Sequence, residues 1–181
     1  MLRLRQASTE YDDEYPTCEE TYAELRIYHE DLDPSIISRR LGLTPTKAQK
    51  KGEIQNPYGR HPRTAPISGW FLSSREVISS RDCRRHIDWL LEQLAGKAKF
   101  LQELRDDGCI TDINVYWVSK SGQGGPMIWS SSLSLLADIG ADLGFSIYFY
   151  GDDDQPQRDR NESVVPHIHN EEKRDKRGNK G

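Results

Sequence analysis

The chain has 181 residues, a net charge of −4, 35% hydrophobic and 30% charged residues, with a mean hydropathy of −0.80 and a pI near 5.8. That length suits one globular domain, and the charge excludes an overall basic field, so a nucleic-acid role would need a local patch. No stretch approaches the roughly 20 apolar residues of a membrane helix, and the polarity is concentrated at the two ends.

From Met1 to Glu20 small polar and acidic residues, including Tyr11-Asp12-Asp13-Glu14, follow no period, so residues 1–20 read as an extended arm. Arg3 and Arg5 lead into this acidic run without an apolar signal core, and a cytoplasmic protein is expected. Cys18, Cys83 and Cys109 are widely spaced and odd in number, which fits free thiols in a reducing compartment.

The folded domain is expected over residues 21–151. Tyr22 to Tyr28 alternates, with Ala23, Leu25 and Ile27 on one side and Tyr22, Glu24, Arg26 and Tyr28 on the other, the pattern of a half-buried strand. Asp33-Pro34 then supplies a cap and a first-turn proline, Ile36, Ile37 and Leu41 recur at helical spacing, and Gly42 stands at the stop. A long polar loop precedes a second strand, Gly69 to Ser73. Ser79-x-x-Asp82 reads as a capping box opening a helix through Ile87, Leu90, Leu91 and Leu94. Gly96 divides it from a second helix through Ala98, Leu101 and Leu104.

A third strand runs from Thr111 to Ser119, and the loop Lys120 to Pro126 is expected to turn into a return strand, Met127 to Ser130. A serine cap at Ser130 to Ser132 starts the last helix, which stops at Gly140. The final strand, Gly144 to Tyr150, sends Phe145, Ile147 and Phe149 one way and Ser146, Tyr148 and Tyr150 the other. Residues 152–181 are charged and nearly free of apolar side chains, an expected disordered tail in which only Val164 to Ile168 offers a segment that docks. The fold class is α+β, a mainly antiparallel sheet with helices on one face, nearest to a ferredoxin-like sandwich. Ile37 to Gly42 echoes Leu135 to Gly140, each a short helix end after a strand.

The run Leu32-Asp33-Pro34 through Leu41-Gly42-Leu43-Thr44-Pro45-Thr46, then Lys51-Gly52, Ser68-Gly69-Trp70, Leu136-Ala137 and a strand ending in Tyr148, resembles the bacterial domain-of-unknown-function family numbered 4279. The likeness covers roughly Thr21 to Gly151. It implies a compact α+β domain and transfers no catalytic residues.

Three features carry candidate chemistry. Between Thr44 and Arg63, Lys47, Lys50, Lys51, Arg60 and Arg63, with Arg39 and Arg40 before them, are opposed only by Glu53. Such a cluster attracts acidic surfaces or phosphates, or simply keeps a long loop solvated. Thr44, Thr46, Lys47, Lys50, Lys51, Arg60 and Trp70 are the binding candidates of this region. The glycine loop holding Gln123 offers backbone N–H groups to an anion, but it lacks the Gly-Lys-Ser/Thr of a P-loop, and a flexible connection is the plainer reading. If the apolar strand positions meet helices, Arg26, Tyr28, Tyr116 and Tyr148, with Tyr22 and Tyr150, share the opposite sheet face, a surface for stacking bases or for a protein interface, or merely tyrosines that favour strands.

For catalysis, Cys83 three residues before His86 is the nearest pairing, read as a core cysteine beside a surface histidine. His167 and His169 are close, but nothing near them completes a metal site. No catalytic residue, metal or cofactor is expected. The sequence points to a non-catalytic binding protein, of immunity type or regulatory, that recognises an anionic protein partner through the basic loop and aromatic face. The alternatives are a single-stranded nucleic-acid module on the same surface and a small-ligand enzyme with an unrecognised pocket. No membrane contact is expected, and oligomeric state is not legible.

Overall fold

The computed structural model describes residues 10–57 and 59–151. Among these residues the strands are β1 (Cys18–His29), β2 (Lys47–Gln49), β3 (Ile54–Gln55), β4 (Arg63–Thr64), β5 (Ser68–Ser73), β6 (Ile110–Ser119) and β7 (Asp142–Phe149). The helices are α1 (Pro34–Leu41), α2 (Cys83–Gln93), α3 (Ala98–Asp106) and α4 (Ser130–Ile139). Five strands form one sheet in the order β2-β5-β1-β6-β7, and β3 and β4 make a separate hairpin. All pairs in the large sheet are antiparallel except β6 with β7.

This is the expected mainly antiparallel α+β class. The ferredoxin-like arrangement is not confirmed, because its βαβ units are split by an intervening strand, whereas β6 and β7 lie side by side. The reason is local. Residues 123–129 form no return strand, Pro126 offering no N–H to a ladder. The chain instead crosses through α4, which makes β7 parallel to β6.

One sheet face carries the core. Ala23, Leu25, Ile27, Trp70, Leu72, Ile113, Val115 and Trp117 alternate inward and pack with Ile37, Leu41, Ile87, Leu90, Leu101, Leu104 and Leu136 from the four helices. The expected caps hold at α1, where Asp33 accepts from the Ser35 N–H and Gly42 adopts φ +64°, and at α4, where Gly140 adopts φ +65°. Both glycines occupy the left-handed region that a side chain strains. At α2 the cap is Asp82 rather than Ser79, its carboxylate accepting from the Arg84 N–H. At α4 the serines do not cap: Trp129 holds that position, and Ser132 Oγ donates to Asp88 at 2.7 Å.

The amino-terminal boundary also moves. β1 begins at Cys18, and residues 10–17 lie against the domain instead of extending from it. Tyr11 donates to Asp88 at 2.8 Å, Asp13 takes Arg85 at 2.7 Å, the Asp12 N–H donates to Asp82 at 2.8 Å, and the Tyr15 ring meets Trp117 edge-on at 5.4 Å. Residues 1–9 and 152–181, including Val164 to Ile168, His167 and His169, lie outside the described residues. Among the described residues no helix is long and apolar enough to cross a membrane.

Candidate binding face

Among the described residues the second sheet face has no helix layer. Its side chains come from the alternate positions of the same strands, and the register sets them in rows. Lys47, Phe71, Arg26 and Asp112 form one row across β2, β5, β1 and β6. Ser73, Glu24, Asn114 and Gly144 form the next. Tyr22 and Tyr116 follow, with Ser146 beyond them, and Tyr148 stands beside Val118.

The tyrosines touch one another. Tyr22 stacks on Tyr116 at 4.7 Å, Tyr116 meets Tyr148 at 5.1 Å, and Tyr148 lies parallel to Tyr150 at 6.1 Å. The Arg75 guanidinium sits 4.9 Å over the Tyr22 ring and pairs with Glu20 at 2.9 Å. All four rings are half-buried, so each keeps an edge or hydroxyl in solvent. Burial pushes the Tyr22 hydroxyl up to about 12, and burial with the Tyr150 hydroxyl at 3.4 Å raises Tyr116 as well. These groups are therefore neutral hydrogen-bonding groups at physiological pH.

The other half of the face is polar. Arg26 Nε donates to Asp112 at 2.6 Å. Burial raises the Glu24 carboxyl, and Arg26 and Lys47 pull the other way. Tyr28 meets Phe71 edge-on at 5.5 Å, and the Phe71 ring lies across Gly69, where a Cβ would come within 2.6 Å of it.

The basic loop is dispersed rather than gathered. Lys50 pairs with Asp33 at 2.7 Å and Lys51 with Glu30 at 2.9 Å, while Arg40 pairs with Asp107. Lys47 alone of the three lysines joins the sheet face, through β2. Arg60 is exposed beyond β3, and Thr44 is exposed between α1 and β2. A cavity of about 650 Å³ separates α1 from this segment, lined by Asp33 and Glu53 as well as Lys50 and Lys51, a mixed-charge wall. Thr46 is structural: its hydroxyl donates to the Phe71 carbonyl at 3.1 Å and accepts from the Ser73 N–H at 3.0 Å. Trp70 is fully buried on the helix side, donating to Ser38 Oγ at 2.9 Å, so it belongs to the core. Gln123 is exposed in the glycine loop, and its backbone carbonyl accepts from Ser119 Oγ. That loop is folded onto the arm, since a Cβ at Gly124 would lie 2.7 Å from Thr17.

Sequence reasoning placed the tyrosines and Glu24 on this face and missed Phe71 and Arg75. The alternation of β1 carried Glu24; Phe71 needed the β1–β5 register, and Arg75, just past β5, is placed by its contacts with Tyr22 and Glu20.

His86 is not a surface residue. It is 1% exposed, with Nε2 donating to the Ser80 carbonyl at 2.9 Å and Nδ1 accepting from Ser74 Oγ at 2.8 Å. Ser74 in turn accepts from the Ala23 N–H at 2.9 Å, and its 0% exposure makes the pair a strut between β1 and α2. Cys83 is likewise buried, its thiol pushed up to about 12. Among the described residues no group of three or more His, Cys, Asp or Glu side chains stands together as a metal site.

Burial lowers the His86 pKa below its ordinary 6.5, with the Ser80 carbonyl and Asp82 opposing. Below 6.5 the unfolded chain therefore binds protons that the folded chain refuses, and stability falls with pH. Glu24, raised, acts in the opposite sense nearer 4.5. The expected result is that His86→Gln starts about 1–3 kcal/mol less stable and lacks the wild-type loss between neutral pH and the region of Glu24. Parallel urea-unfolding curves with pH for the two proteins contradict it.

Comparison with known proteins returns one family, described as Domain of unknown function (DUF4279), over residues 19–150. No curated protein and no solved structure matches.

Proposed function

The chain belongs to the family described as Domain of unknown function (DUF4279), and from that premise we propose that it is a non-catalytic binding module whose open sheet face grips a protein partner. The observation that carries this reading is the run of four packed tyrosines on the face without helices. Tyrosine supplies contact area at low entropic cost and a hydroxyl for orientation, the reason it is enriched at protein interfaces.

Charge favours protein over nucleic acid. On this face Arg26 is paired with Asp112 and Arg75 with Glu20, Lys47 Nζ lies 5.9 Å over the Phe71 ring, and Glu24 adds a carboxylate. A phosphodiester strand needs cations to neutralise it, and here the cations are already answered. Glu24 instead offers an acceptor to a partner's basic or N–H group. The partner is thus not primarily anionic, a change from the charge reading of the loop, and a regulatory or immunity-type role fits a module of this kind.

Affinity capture from native lysate, with and without nuclease, tests the reading. The wild-type chain is expected to retain a stoichiometric protein after nuclease, and Tyr116→Ala to lose it while unfolding cooperatively. Bound material that disappears with nuclease assigns the face to single-stranded nucleic acid instead.

A further inference from the structure

The two edges of the large sheet differ. β2 is three residues long, begins with Lys47 and runs into Lys50 and Lys51, a short, charged edge of the kind that resists pairing. β7 is eight residues long, and its one charge is Asp142 at the start. On the helix side it exposes Phe145 at 39%, Ile147 at 61% and Phe149 at 53%. The helix layer covers the inward positions of β6 and stops short of these three. Among the described residues β7 has no hydrogen-bonded neighbour on its outer side, so an unpaired backbone and an apolar row coincide.

We propose that β7 is a self-association site, where a second copy of this chain pairs with it antiparallel about a twofold axis normal to the sheet. Three observations select that occupant. The strand is uncharged from Leu143 to Phe149, so two copies meet without like-charge repulsion. A twofold normal to the sheet keeps both helix-bearing sides together, so Phe145, Ile147 and Phe149 of one copy lie against the same residues of the other, an isologous contact. Antiparallel pairing also sends Asp142 toward the far end of the other copy's β7. There Lys120 follows Ser119, the β6 partner of Phe149, so opposite charges meet; parallel pairing would set Asp142 against Asp142. The two open faces would then run on as one surface, with Tyr148 and Tyr150 near the seam, giving a bivalent grip that the proposed function does not require.

Sedimentation of the full chain from low to high micromolar concentration tests this. The wild type is expected to move from 20.8 kDa to twice that mass, and Ile147→Lys to stay at the lower mass throughout with cooperative unfolding. Asp142→Lys should weaken the dimer severalfold, and adding Lys120→Glu should restore it. A wild-type chain that is monomeric at every concentration overturns the proposal. So does a dimer that survives Ile147→Lys, or a charge swap that restores nothing. A monomer whose unfolding midpoint falls with Ile147→Lys also overturns it, because the strand is then covered within one chain.

Discussion

Asp82→Ala is expected to destabilise the chain by about 3–5 kcal/mol, the range for breaking a buried ion pair by removing one partner. Asp82 is 0% exposed and Arg84 7% exposed, with Arg84 Nε within 2.8 and 3.0 Å of the two carboxylate oxygens. The same carboxylate accepts from the Arg84 and Asp12 backbone N–H groups. Burial alone would raise its pKa; Arg84 and these N–H groups outweigh burial and hold it below the ordinary 3.8. Alanine removes the cap of α2, unties the Asp12 N–H and leaves Arg84 without its carboxylate, over the Trp129 ring 4.5 Å away. Chemical denaturation checks this, and a loss under about 1 kcal/mol would mean that water replaces the carboxylate at little cost.

Trp70→Ala is the second large effect, also about 3–5 kcal/mol, from lost transfer energy and the cavity left behind. Trp70 is fully buried on the helix side of the sheet, in the core with Ile37 and Leu41 of α1, and its indole N–H donates to Ser38 Oγ. Trp70→Phe separates core from site: it keeps most of the volume, loses the hydrogen bond, and should leave partner binding unchanged. Lost binding with intact stability would return Trp70 to the binding residues.

The elements legible in the sequence were those whose signals are local. The β1 alternation assigned the two faces of the sheet, and Asp33, Pro34 and Gly42 bounded α1 because a cap, a first-turn proline and a left-handed glycine act within one turn. What was not legible depends on distant partners. Tyr11, Asp12 and Asp13 show no period, since Asp88, Asp82 and Arg85 hold them from α2. Lys50 and Lys51 read as a cation cluster because Asp33 and Glu30 lie well before them in the chain. Ser79 and Asp82 both satisfy a cap pattern, and the tertiary contact from the Asp12 N–H favours Asp82. A glycine loop marks a change of direction without saying whether the chain returns or crosses over. That is why a return strand, Met127 to Ser130, is expected after β6 where the chain instead runs into α4.

The most direct measurement of the central claim is the dissociation rate of the captured protein partner from Tyr116→Ala and Tyr148→Ala, set against Lys50→Glu with Lys51→Glu. Truncating a packed ring removes contact area and acts on dissociation, whereas the two lysines are exposed and answered by their own carboxylates. Each tyrosine variant is expected to dissociate at least about tenfold faster, the consequence of losing roughly 1.4 kcal/mol, and the lysine variant to match the wild type with a shallow salt dependence. The opposite pattern, unchanged dissociation from the tyrosine variants and slowed association with the lysine variant, would move the binding site to the basic loop and contradict the account.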